Sequence, residues 1–181
     1  MQQVQSGKKI QALILAAIAA AMLAFGLTFA VQQAYALPPG GPSADYTTPD
    51  GTTWKLQNIG GKNAVTIVGV KTTKTAITSP SKVFENPTYK VACVASNAFK
   101  GCTAKTVTLA NTVKKIKKNA FKGSKVKTLI VKSTQLTKKS VKGSLKGSKV
   151  KVVKVPKNKV KKYTKFFAKK NSGKKVKVKA A

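Results

Sequence analysis

The stretch Asn97-Ala98-Phe99-Lys100-Gly101-Cys102 returns as Asn119-Ala120-Phe121-Lys122-Gly123-Ser124, a step of 22 residues. A third, degraded copy is read in Ser140-Val141-Lys142-Gly143-Ser144. This period constrains the chain more than any other feature, because a unit of roughly 20–25 residues cannot bury its own apolar face and has to stack on its neighbours as a solenoid. The apolar spacing agrees. Ala104, Val107 and Leu109 become Val126, Leu129 and Val131, then Val150, Val153 and Val155. A second apolar set precedes each copy: Val91 and Val94, then Val113 and Ile116, then Leu136. Each unit is therefore expected to supply two short extended segments. Phe99 and Phe121 should stack along the axis, with Val141 continuing the column and Leu145-Lys146-Gly147-Ser148 inserted after it.

This unit has an apolar-x-x-apolar-x-apolar segment, a turn, a Val-x-x-Ile-like pair and the Asn-Ala-Phe-Lys-Gly-Cys step. It resembles the BspA-type leucine-rich repeat of bacterial surface proteins. Tyr89-Lys90-Val91, Ser96 to Cys102 and Val113 to Ser124 carry the resemblance, which extends over roughly the last 130 residues. It implies a parallel solenoid and a role in adhesion or binding rather than catalysis. The expected fold class is a β-rich solenoid of leucine-rich repeats with short parallel strands, closed by an N-terminal β cap and a C-terminal helix-strand cap.

Residues 1–36 read as a secretory signal: Lys8 and Lys9 open it, an apolar run from Ala12 to Val31 follows, and Ala34-Tyr35-Ala36 supplies a cleavage site. An uncleaved anchor is the alternative, since an apolar run of this length also spans a bilayer. Both put the rest of the chain outside the cytoplasm, secreted or at the surface. Pro38, Pro39, Pro42 and Pro49, with Gly40 and Gly41, mark 37–52 as a linker. Residues 53–90 form the expected N-terminal β-rich capping region. Trp54 to Leu56 and Ala64 to Val70 make a hairpin there, and Thr75 to Pro80 resembles a terminal strand, with Ile77 in the place of Val107 and Ser79 in that of Leu109. Glu85 to Thr88 is a turn. The repeats occupy 91–156, about three units. In 157–181, the lysine-rich C-terminal cap, Asn158 is the expected N-cap of a helix carrying Val160, Tyr163 and Phe167, which Gly173 ends. Lys174 to Lys179 alternates like an edge strand.

Charge narrows the partners. The chain carries 36 lysines, no arginine, no histidine and three acids, Asp45, Asp50 and Glu85, for a net charge of +33. The stretch from Asn86 to Ala181 holds no acid, so the repeats are an almost uncompensated polycation that attracts polyanions. With 42% apolar residues the chain still has the material for a core. Aligning the units puts Lys105, Lys127 and Lys151 in one column and Lys100, Lys122 and Lys142 in a second. These six are the candidate ligand-binding residues, for an anionic cell-wall polymer, an acidic glycan or an acidic host glycoprotein. A plain solvated face is the alternative. A lysine-rich nucleic-acid binder is another, although export removes that target and the lack of arginine removes the commonest base-reading side chain. A purely structural envelope role is a third. The helix could also lie on anionic lipid, although its apolar residues fit the inner face of a cap better.

No catalytic residue, metal ligand or cofactor is expected. Without histidine, and with three acids all preceding the repeats, general acid and base pairs cannot be assembled. A Ser-Lys dyad has the residue types but no marked pocket. Cys93 and Cys102 are half of a four-ligand metal set. In an exported chain they either form a disulfide or stay free, Cys102 filling the position of Ser124.

Overall fold

The computed structural model describes residues 41–59, 63–83 and 86–181. The expected signal at 1–36 and the first part of the linker, 37–40, lie outside the described residues. Two sheets face one another across the core. The first begins as an antiparallel meander of β1 (Ala44–Thr47), β2 (Thr53–Gln57) and β3 (Ala64–Lys71). It continues in parallel from β3 to β6 (Asn86–Val94) and on to β8 (Lys115–Ile116), while β5 (Lys82–Val83) lies antiparallel on the start of β6. The second sheet is parallel throughout, in the order β4 (Ala76–Thr78), β7 (Thr106–Leu109), β9 (Thr128–Val131), β10 (Val152–Val155) and β11 (Lys177–Ala180).

Branched and aliphatic residues at every second position make these segments strands, with one face inward. Ile77, Val107, Leu129, Val153 and Val178 are register partners from strand to strand, so each unit adds one side chain to a continuous apolar column. All nine residues of the three apolar triplets are fully enclosed. Ser79 takes the place of Leu109 one unit earlier, and its hydroxyl accepts the Ala110 N–H at 2.9 Å, which makes a polar residue tolerable at a buried site. The parallel sheet thus extends past 91–156 on both sides, through β4 and through β11. The solenoid geometry begins inside the region expected as an N-terminal cap and reaches into the one expected as a C-terminal cap.

The third copy is not where the Lys-Gly-Ser match suggested. Each intact copy has two residues of positive φ, four apart: Asn97 (58°) with Gly101 (77°), and Asn119 (60°) with Gly123 (71°). Glycine enters this left-handed region freely and asparagine at little cost. The next such pair is Gly143 (67°) with Gly147 (71°). Asn97 N–H donates to Asn119 O at 3.3 Å, and Asn119 N–H to Gly143 O at 3.0 Å. The third copy is therefore Gly143-Ser144-Leu145-Lys146-Gly147-Ser148, and no insertion follows it. Leu145, not Val141, takes the place of Phe121; Val141 is buried one turn earlier. The aromatic column is as expected at its start, with Phe99 and Phe121 stacked at 4.6 Å and 16°, and it begins one residue sooner, on Trp54, whose ring meets Phe99 edge-on at 6.2 Å.

Three smaller corrections concern the flanks. The expected linker contains β1, because the Asp50-Gly51 turn folds it back on β2: Gly51 adopts φ 80°, and the Asp50 carboxylate accepts the Thr48 hydroxyl at 2.6 Å and the Thr52 N–H at 3.0 Å. The expected turn at 85–88 is already strand from Asn86. The single C-terminal helix is two, α1 (Val160–Phe166) and α2 (Lys169–Ser172), after a 3-10 turn at Lys157–Lys159. Extended backbone at Ala168 (ψ 146°) parts them, and α1 starts from Lys159 with no side-chain cap, so Asn158 does not serve as one. Gly173 ends α2 at φ 86°. Tyr163 fastens α1 to the stack: its hydroxyl donates to Ser133 O at 2.9 Å and accepts the Leu136 N–H at 3.2 Å. Burial pushes the phenol pKa up, which keeps that donor protonated.

The two cysteines are free thiols. Cys102 is buried in the turn, and Cys93 is half-buried on β6 opposite Thr66 and Lys115. Burial pushes both thiol pKa values up. Maleimide labelling of the purified chain without reductant should find two thiols after denaturation, Cys93 reacting first in the folded protein. A labelling yield that rises on adding reductant would show a bridge and refute this.

Candidate functional site

The six candidate lysines stand on two corners of the winding. Lys105, Lys127 and Lys151 each immediately precede a strand of the parallel sheet and are exposed. Lys127 N–H donates to Lys105 O at 2.8 Å, and Lys151 N–H to Lys127 O at 2.8 Å, so the three are true register neighbours. Adjacent strands lie about 4.8 Å apart, which sets the repeat of the column at its backbone. It is bounded by Thr75, whose carbonyl accepts the Lys105 N–H at 2.7 Å, and by the Lys177 N–H, which donates to Lys151 O at 2.9 Å.

The second column follows the corrected repeat. Lys100 and Lys122 precede Gly101 and Gly123 as expected, but the third member is Lys146, before Gly147. Lys142 instead stands one residue before the turn, in the register of Lys118. Each stem lies along the stack on the next unit's glycine. A Cβ at Gly123 would come 3.6 Å from Lys100 Cγ, one at Gly147 3.1 Å from Lys122 Cγ, and one at Gly143 3.0 Å from Lys118 Cγ. Those glycines therefore do two things: they supply positive φ and they leave room for a lysine stem.

Little neutralises these rows. Among the described residues the acidic side chains are Asp45 and Asp50, both in the β1–β2 hairpin. The Asp50 pKa is lowered, first by the Thr48 hydroxyl and then by the Thr52 N–H, so that carboxylate is engaged within its own turn. Like charges on neighbouring strands repel unless an anion lies between them. The arrangement presents two rows of positive charge along the stack on an open, shallow surface.

One further feature was missed from the sequence. A groove of about 820 Å³ runs along the other end of the parallel strands and is lined by Lys82, Lys90 and Lys114 with Asn111, Thr112 and Gln135. These residues come from three successive windings, so no local motif marks them. The signal available was positional: Ser81, Asn111 and Gln135 each follow a strand of the repeat by a few residues.

The profile of the BspA type leucine rich repeat region matches residues 74–180 as six copies. That span begins before β4 and ends in β11, and so covers more units than the three expected. Among solved structures, a leucine rich cell surface protein from Faecalibacterium prausnitzii A2-165 is similar, with a TM-score of 0.39 and 18% identity. The match covers 77% of this chain and 33% of that one, so the chain spans about a third of its length. No curated protein matches.

Proposed function

Because the chain belongs to the BspA-type leucine-rich repeat family, we propose that it is a repeat module presented at a bacterial surface, where it binds anionic polymers or acidic glycoproteins through its repeated lysines. The observation that carries this reading is the backbone register of Lys105, Lys127 and Lys151, fixed by two hydrogen bonds of 2.8 Å. Lys100, Lys122 and Lys146 form the companion row, with Lys142 and Lys118 beside it. Affinity arises from many salt-screened contacts in parallel rather than from one pocket. The antiparallel β1–β3 meander and the α1–α2 pair act, in this reading, as the covers that keep the ends of the stack from exposing apolar surface. The role is binding, and no catalytic step is assigned.

The test is a triple variant, Lys105→Gln, Lys127→Gln and Lys151→Gln, measured against a teichoic-acid-like polymer and against heparin at two salt concentrations. The expected result is a loss of affinity of about tenfold or more at low salt, with a shallower dependence on salt. Affinity and salt slope equal to those of the unmodified chain would refute the column as the binding element.

A further inference from the structure

We propose that the groove lined by Lys82, Lys90 and Lys114 is a second binding site, built for a short segment of an acidic polysaccharide. It does not rest on the lysine columns. Lys105 and Asn111 lie at opposite ends of β7, a four-residue strand of about 13 Å, so the two surfaces occupy different corners of the winding.

The groove is positioned by backbone rather than by mobile side chains. Lys90 N–H donates to Asn63 O at 3.0 Å, Val91 N–H to Ser81 O at 3.0 Å and Lys114 N–H to Ala92 O at 2.7 Å. The Thr112 hydroxyl is held against Val91 O at 2.7 Å. Ala64 and Ala92, also in the lining, are small and leave the space open. Its volume is in the range of small-ligand sites and suits a few sugar rings.

Its chemistry selects the class of ligand. Lys82 and Lys90 are direct register partners across the antiparallel β5–β6 pair. Two ammonium-bearing side chains in that arrangement repel, and a bound anion turns the repulsion into a clamp. Lys114, one residue before β8, brings a third positive charge to the same groove. The described lining has no carboxylate to compete for them. The remaining polar side chains are amides and hydroxyls, with Asn111 and Gln135 able both to donate and to accept. Charges alone would suit any anion. Charges interleaved with amides suit a ligand whose rings carry a carboxylate and hydroxyls side by side, which describes a uronic-acid polymer. The described lining has no aromatic ring, so recognition proceeds by polar contacts and not by stacking against a sugar face.

Titration calorimetry on the full chain tests this with two probes, a short oligogalacturonide and an uncharged oligogalactoside of the same length. The acidic oligomer should bind and the neutral one should not. Lys90→Gln with Lys114→Gln should weaken the acidic oligomer by about tenfold or more, as expected for loss of charge-assisted hydrogen bonds. Asn111→Ala with Gln135→Ala should weaken it at high and low salt alike, while the triple variant at 105, 127 and 151 should leave it unchanged. Folding of each variant is checked by circular dichroism. Binding that survives the Lys90 and Lys114 substitutions overturns the proposal. So does binding lost equally in the triple variant, which would reduce the effect to overall charge. Failure of the triple variant to affect long polymers, with the groove variants behaving as stated, would instead remove the column reading and leave this one standing.

Discussion

Phe121→Ala should destabilise the protein by about 3–5 kcal/mol, a large part of the roughly 5–15 kcal/mol that a domain has in total. The ring is fully enclosed, stacked on Phe99 at 4.6 Å and followed in the column by Leu145. Its removal leaves a void in the middle of a stack whose units contact only their neighbours, so few side chains can collapse into the gap. In urea the unfolding midpoint should fall without a change in slope. Phe121→Leu should cost less, about 1–1.5 kcal/mol, because the following unit already carries leucine at that position. A midpoint for Phe121→Ala within error of the unmodified chain would mean that the ring column is not the core.

The second large effect is on stability in low salt. Lowering ionic strength from about 0.15 M to about 0.01 M lengthens the screening distance from about 8 to about 30 Å. Two ammonium groups about 5 Å apart repel by about 0.5–1 kcal/mol in unscreened water. The folded chain holds Lys105, Lys127 and Lys151, and Lys100, Lys122 and Lys146, on consecutive windings, an arrangement that the unfolded chain relaxes. Together with the remaining lysines these rows oppose folding by a few kcal/mol, and the melting temperature should drop by about 5–15 °C in low salt. Added heparin at low salt should restore it, since a ligand that favours the folded state stabilises it. A melting temperature independent of salt would show that the lysine side chains splay far enough apart to escape one another.

The repeat, its two apolar sets and the Phe99–Phe121 stack were legible in the sequence because a short unit allows few ways of hiding its apolar residues. The third copy was misplaced because the Lys-Gly-Ser of Lys122 recurs twice in quick succession, at Lys142 and at Lys146. Requiring a residue that tolerates positive φ at both ends of a five-residue turn separates them, since Gly143 and Gly147 satisfy it, whereas a turn closed by Gly143 would begin at Lys139, which does not. That constraint is conformational and invisible to a match of letters. Strand β1 was hidden by the prolines around it, and its cue was Asp50-Gly51 beside the alternating Ala44-Asp45-Tyr46-Thr47. The helix break at Ala168 had no local marker. Of the lysine positions, the register of the strand-start column was legible from spacing alone. The groove was not, because Lys82, Lys90 and Lys114 meet only after the chain has wound back on itself.

β11 is the last strand of the parallel sheet among the described residues, and its Lys177 and Lys179 are exposed. A strand that ends in open backbone invites a neighbour's strand, and charged side chains along it discourage the docking. For molecules crowded on one surface this has a collective meaning. On the proposed reading, copies that repel at their ends would not join into fibres and would hold their distance from one another until an acidic chain ran between them. Under the proposed surface display and polyanion binding, such a coat would be sparse when bare and gather where its ligand is dense, so the spacing of the molecules would become a response to what they meet.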